Sequence, residues 1–137
     1  MSIERHKEIF RTVVEEAFNK GNFDVLDSLF APGYVEHQFG LKSTVPGMKE
    51  DVAYLRRAFP DLHLAIEDMI ANDDMVWGRM TARGTNLGPF IGPPTGKRIE
   101  VTVIDILRFA SGLIVEHWGT PDRFAAMAQL GLLPRPK

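Results

Sequence analysis

Cysteine is absent from the 137 residues. That excludes a disulfide framework, a thiolate metal site and a cysteine nucleophile, and it fits a reducing compartment. An excess of charge of either sign is missing too: 16 Lys and Arg stand against 18 Asp and Glu, interspersed, for a net charge of −2. Such a pattern offers neither a nucleic-acid footprint nor a polybasic membrane surface. No apolar run approaches membrane-spanning length, and MSIERHKEIF carries charges where a signal peptide needs an apolar core. A cytoplasmic protein is expected. Repeats, low-complexity tracts and linkers are lacking as well, so the chain predicts one domain over residues 1–137 with a real hydrophobic core.

What is present has two periods. Phe10, Val13, Val14, Ala17 and Phe18 follow helical spacing and Gly21 offers a stop. Asn22 can cap a shorter helix carrying Leu26, Leu29 and Phe30, which ends at Ala31-Pro32-Gly33. Tyr34 to Phe39 reads as a short extended piece. Near Pro46-Gly47 a third helix starts, with Met48, Val52, Leu55 and Phe59 as its buried stripe, and Pro60 stops it. Beyond Pro60 the period becomes two. Leu62 to Ile70 and Met75 to Thr85 predict antiparallel strands around Asn72-Asp73-Asp74. Asn86 to Lys97 is rich in Gly and Pro and predicts a loop, in place to act as a lid over a pocket mouth. Thr120-Pro121-Asp122 predicts the start of a last helix, with a capping hydroxyl, Pro at the first position and an acid in the first turn. Helices first and then an antiparallel meander is an α+β arrangement.

The stretch Val101 to Gly119, VTVIDILRFASGLIVEHWG, is the centre of this reading. It is a β-hairpin pattern turning near Ala110-Ser111-Gly112, with Asp105 and His117 in strongly apolar company. Val101, Val103, Asp105, Leu107 and Phe109 share one face. A three-residue turn pairs Phe109 with Leu113 and sets Asp105 opposite His117, while a two-residue turn sets Trp118 opposite Asp105. The other face, with Thr102, Ile104, Ile106, Ile114 and Trp118, is apolar as well. A sheet-to-sheet homodimer is the simplest cover for it.

Several motifs in order carry a resemblance over nearly the whole chain. Phe18-Asn19-Lys20-Gly21-Asn22 and Leu29-Phe30-Ala31-Pro32-Gly33-Tyr34-Val35-Glu36-His37 resemble the opening of the nuclear-transport-factor-2-like superfamily. Ala58-Phe59-Pro60-Asp61-Leu62, Gly92 to Lys97 and Glu116-His117-Trp118-Gly119-Thr120-Pro121-Asp122 resemble its SnoaL-like polyketide cyclase (ester cyclase) branch. The resemblance implies a cone of curved antiparallel sheet, of the cystatin-like type, packed on N-terminal helices around a pocket and dimeric or higher. In the aldol cyclases of that branch the general acid/base is an aspartate at the position held here by Gly119. Asp105 stands at a cavity histidine's position and His117 matches a second histidine. Val103 to Phe109 is also similar to the ketosteroid isomerase strand that carries a protonated oxyanion-hole aspartate. The isomerase base follows a Val-Glu pair, and His37 follows Val35-Glu36 here. Val14 stands where the isomerase has its tyrosine.

Asp105 is costly to bury charged and should be paired or shifted in pKa; the plain alternative is a structural acid bonded to a loop or an arginine such as Arg108. His117 and His37 can move protons near neutral pH, against a rim or surface role. Gln38 is a polar orienting candidate, and Trp77, Leu107, Phe90 and Trp118 are candidates for a substrate-binding wall. Arg79 and Arg83 read as a solvated charge row. The four histidines show no metal-ligand spacing, and neither a dinucleotide fingerprint nor a G-x-S-x-G elbow is present, so no metal or cofactor is expected. The expected activity is cofactor-independent aldol cyclisation or isomerisation of a mostly apolar carbonyl compound. A histidine would act as base, and Asp105 would orient it or donate to the enolate. The competing expectations are a non-catalytic binder of an apolar ligand and an epoxide or ester hydrolase.

Overall fold

Phe10 and its helix decide where the sheet can lie. In the computed structural model, which describes residues 2–133, helix α1 (Ile3–Thr12) is capped by the Ser2 hydroxyl accepting from Arg5 N–H. It continues as a wider π-helical stretch over Val13–Asn19 and stops at Gly21, whose φ of +76° favours glycine. A 3₁₀ turn (Phe23–Val25) leads into the one-turn α2 (Leu26–Leu29) and strand β1 (Phe30–Glu36). Helix α3 (Val45–Ala58) starts one residue before Pro46, with the Thr44 hydroxyl accepting from Gly47 N–H. Strands β2 (His63–Ala71), β3 (Met75–Thr85), β4 (Arg98–Ala110) and β5 (Leu113–Pro121) follow, and α4 (Arg123–Gln129) ends the described part.

The strands form one sheet in the order β1-β5-β4-β3-β2. Two expectations are corrected here. β1 joins β5 in parallel, so the sheet is mixed rather than antiparallel throughout. β1 and β2 are its two ends and do not pair with each other, so the sheet is open, and the expected closed cone or barrel of curved sheet is not what the chain forms. The helices, rather than sheet closure, cover the apolar face. Ile9, Phe10, Val13, Val14 and Ala17 pack with Leu64, Val76, Met80, Ala82, Leu107, Phe109 and Ile114 in the main core. Gly78 makes that contact close, because a Cβ there would lie 2.3 Å from Phe10 Cζ.

A second, smaller core joins Ala58, Phe59, Leu62, Ile99 and Leu130, with Leu55 and Phe90 against it. The 86–97 loop belongs to that end. Its organiser is Asn86, fully buried, which donates to Ala58 O and Gly88 O and accepts from the Thr95 backbone N–H and hydroxyl. Bound to the C-terminal end of α3, the loop does not cover Asp105, contrary to the lid expectation.

The β4–β5 turn is a two-residue one, Ser111-Gly112, with φ of +51° and +80°. Phe109 pairs with Ile114, but Arg108 pairs with Glu116, so Val115 is a bulge. That extra residue moves the register past both expected pairings and sets Asp105 opposite Gly119 and Leu107 opposite His117. Ile114, lying before the bulge, faces the core rather than the outer side. The last helix is capped by Asp122, accepting from Ala125 N–H, because Thr120 and Pro121 remain in β5.

Candidate functional site

Asp105 lies mid-sheet between two glycines, opposite Gly78 on β3 and Gly119 on β5. Neither neighbour supplies a side chain: Phe10 packs over Gly78, and Gln38 reaches over Gly119 beside the Asp105 carboxylate. The burial alternation of β4 fades here: Val101, Leu107 and Phe109 are buried, while Val103 and Asp105 are only half-buried. One diagonal step away, His117 donates from Nε2 to Asp105 Oδ1 over 3.1 Å. Its other nitrogen, Nδ1, reaches Glu36 Oε2 at 2.5 Å.

Glu36 completes the cluster, and the sequence reading did not single it out. Pairing of β1 with β5 sets it beside His117, with its side chain 1% exposed. Its oxygens are satisfied: Oε2 also accepts from Gln38 N–H (3.0 Å), and Oε1 accepts from the Tyr34 hydroxyl (3.3 Å). Burial and Glu36 hold the Tyr34 phenol above its usual range, so it stays a neutral donor. Alternation Tyr34, Glu36 along a strand was the signal available in the sequence, but nothing local told which face of that strand would be covered.

Burial by itself lowers the pKa of His117, and the bonds to Asp105 and Glu36 outweigh it, so the imidazole is pushed up to about 10. At neutral pH it is an imidazolium with both N–H groups donating, one to each carboxylate. Among the described residues no Lys or Arg is bonded to this cluster of two acids and an imidazole.

The other residues singled out lie elsewhere or at the rim. Gln38 reaches the cluster: a Cβ on Gly119 would lie 2.0 Å from Gln38 Oε1 and 2.6 Å from Asp105 Oδ1. Leu107 is buried beside His117 in the main core. His37 is on the opposite face of the sheet, stacked on Trp118 at 4.6 Å and bonded to Glu116 at 2.8 Å. Trp77 and Trp118 flank Ile106 on that outer face, and Trp77 is 47% exposed. Phe90 packs on Phe59 and Tyr54 in the second core. Arg79 and Arg83 pair with Asp68 and Glu100 at the surface. Among the described residues no group of three or more His, Asp or Glu could hold a metal ion, and no helix is long and apolar enough to cross a membrane. A groove of about 680 Å³ runs between the first helix and β2, lined by Lys7, Arg11, Asn19 and Met69 among others, and includes no member of the cluster.

An open sheet backed by N-terminal helices, with an acid–imidazole cluster on its covered face, defines a small α+β protein of the nuclear-transport-factor-2-like superfamily. Within it, this chain belongs to the SnoaL-like polyketide cyclase family, whose model matches residues 8–130. Nogalonic acid methyl ester cyclase of Streptomyces nogalater is 25% identical over 121 residues, covering 84% of this chain and 90% of that protein. TsrD from Streptomyces laurentii superposes with a TM-score of 0.88 at 28% identity, covering 97% of this chain and 99% of that one. IdmH from Streptomyces antibioticus, a candidate polyketide cyclase, does so with a TM-score of 0.79 at 33% identity, covering 91% and 97%. The family assigns the fold to enzymes acting on small molecules.

Proposed function

We propose that this protein is a cofactor-independent enzyme that moves a proton alpha to a carbonyl in a mostly apolar small molecule, leading to aldol cyclisation or isomerisation. The observation that carries this reading is the Glu36–His117–Asp105 chain, which ends on a half-buried carboxylate with a glycine on either side. Asp105 takes the alpha proton. The C–H pair becomes the enolate double bond and the carbonyl pair moves onto oxygen. In the cyclisation the enolate carbon attacks a second carbonyl of the same molecule, whose oxygen then takes the proton back from Asp105. Atoms balance without a co-reactant.

His117 is the positioning residue. Held cationic, it cannot accept the proton, and this moves the base role expected of a histidine to Asp105. Its imidazolium orients Asp105 and lies close to the charge that changes, while Glu36 fixes the ring as the acid of a catalytic triad does. His37, on the outer face, takes no part.

The test is a panel of polycyclic ketones, β-keto esters and epoxides with the wild type and Asp105→Asn. A compound converted by the wild type and only bound by the variant supports the reading. If the two proteins bind alike and nothing is converted, Asp105 is structural and the chain binds apolar ligands without chemistry. The same proposal includes a homodimer through the outer face, where Ile70 and Trp77 are 71% and 47% exposed. A monomeric mass by sedimentation at micromolar concentration would refute it.

A further inference from the structure

Gly119 and Gln38 compete for one volume. An ideal Cβ on Gly119 would stand 2.0 Å from Gln38 Oε1, 2.9 Å from its Cδ and 2.6 Å from Asp105 Oδ1. The Gln38 carboxamide therefore lies where a side chain at position 119 would project, against the carboxylate assigned the base role. Its backbone is tied to the same cluster, since Gln38 N–H donates to the Glu36 oxygen that also receives His117. The carboxamide thus has a fixed root and a free end. Turning it about its last torsion exchanges Oε1 for Nε2 in one place, so it can accept from a protonated Asp105 or present an N–H beside an ionised one.

We propose that Gln38 is the carbonyl-recognising residue of the site, its Nε2–H donating to the substrate oxygen whose alpha proton Asp105 removes, and that Gly119 is glycine to leave it room. The inference rests on the proton-transfer reading above and adds to it the group that holds the developing enolate oxygen. The two acids and the imidazolium leave that oxygen no other donor in the cluster, because both His117 N–H groups are already engaged. As the proton moves onto Asp105 and charge builds on the ligand oxygen, the Gln38 bond strengthens without a change in net charge.

The experiment uses α-tetralone and tetralin, which share a skeleton and differ in the carbonyl. Affinity is read by NMR titration, and base chemistry by exchange of the alpha hydrogens of the ketone in D₂O. The wild type is expected to prefer the ketone, with Gln38→Leu reducing that preference about five- to tenfold and leaving tetralin affinity unchanged. Gly119→Ala, whose Cβ would displace the carboxamide, should reproduce the loss, while Asp105→Asn should keep the preference and lose the exchange. An unchanged ketone preference in Gln38→Leu, or no preference in the wild type, overturns the assignment of Gln38. Loss of the preference in Gln38→Leu with no exchange by the wild type leaves Gln38 as the ligand contact and overturns the base role of Asp105 instead.

Discussion

Two glutamate–histidine pairs stand back to back across the sheet. Glu-His occurs within β5 and again where β1 ends, His37 following its last residue Glu36, and the parallel pairing sends Glu36 and His117 inward and His37 and Glu116 outward. The inner pair is enclosed, with side chains 1% and 10% exposed, and a second acid, Asp105, closes it. The outer pair is 36% and 27% exposed, rests on Trp118 and shares Glu116 with Arg108 at 2.9 Å. The residue types are the same and the environment is not. Inside, two carboxylates on one ring hold a proton against the cost of burial, whereas outside Arg108 shares the acid and the charges are screened by solvent. Only the inner pair can act as a fixed, preorganised element of a site.

The sharpest way to break this contrast is to remove one acid from each pair. Glu36→Gln should cost about 3 kcal/mol of stability, since it strips a buried imidazolium of one counter-charge and leaves the Tyr34 and Gln38 donors a poorer acceptor. Urea unfolding of Glu36→Gln and of its outer counterpart Glu116→Gln is the measurement, and equal costs would mean that the inner cluster is hydrated in solution. Gly78→Ala tests the floor under Asp105. Its Cβ would meet Phe10 at 2.3 Å, and the forced shift should cost about 1–3 kcal/mol by the same method.

Next in size is the pH dependence. The pKa of His117 rises from 6.5 to about 10 on folding, so between those values the folded chain keeps a proton that the unfolded chain has released. The stability this contributes is fully present below pH 6.5 and is lost as pH rises through about 10. His117→Gln should flatten the fall of melting temperature over that window. His6 has the opposite sign. Burial lowers its pKa, so its contribution is present above pH 6.5 and declines as pH falls below it. Its ring stacks on Phe109 at 4.1 Å, and His6→Phe should remove that acid-side decline while keeping the stack. Smallest of all is Glu116→Gln on the outer face, expected to cost under about 1 kcal/mol and to be lost in high salt.

Much of the fold was legible. The β3 limits, the loop at 86–97 and the stop before Pro60 follow from local chemistry: alternation, turn residues and proline. The extended piece expected at Tyr34 to Phe39 is instead β1 over Phe30–Glu36, and it takes in Phe30 to Gly33, where the sequence predicts the end of the second helix. Of the site, Asp105 and His117 were legible as ionisable residues on one apolar face, and they do bond to each other. Their register was not, because the Val115 bulge leaves no mark in a run of apolar residues. Glu36 went unseen for a related reason: whether an acid in a short strand points to solvent or to a buried histidine depends on which strand it pairs with, some eighty residues along the chain.

The sequence by itself determined most of the element types, the family and the presence of an acid and an imidazole within an apolar hairpin, since these depend on period, propensity and motif. Only the tertiary structure decided that the sheet stays open, that Glu36 and not His37 stands beside His117, and that Gln38 fills the space above Gly119. Those facts depend on strand pairing and on a single-residue bulge. A strand side chain changes face with each residue, so one step in register moves a group from the core to water.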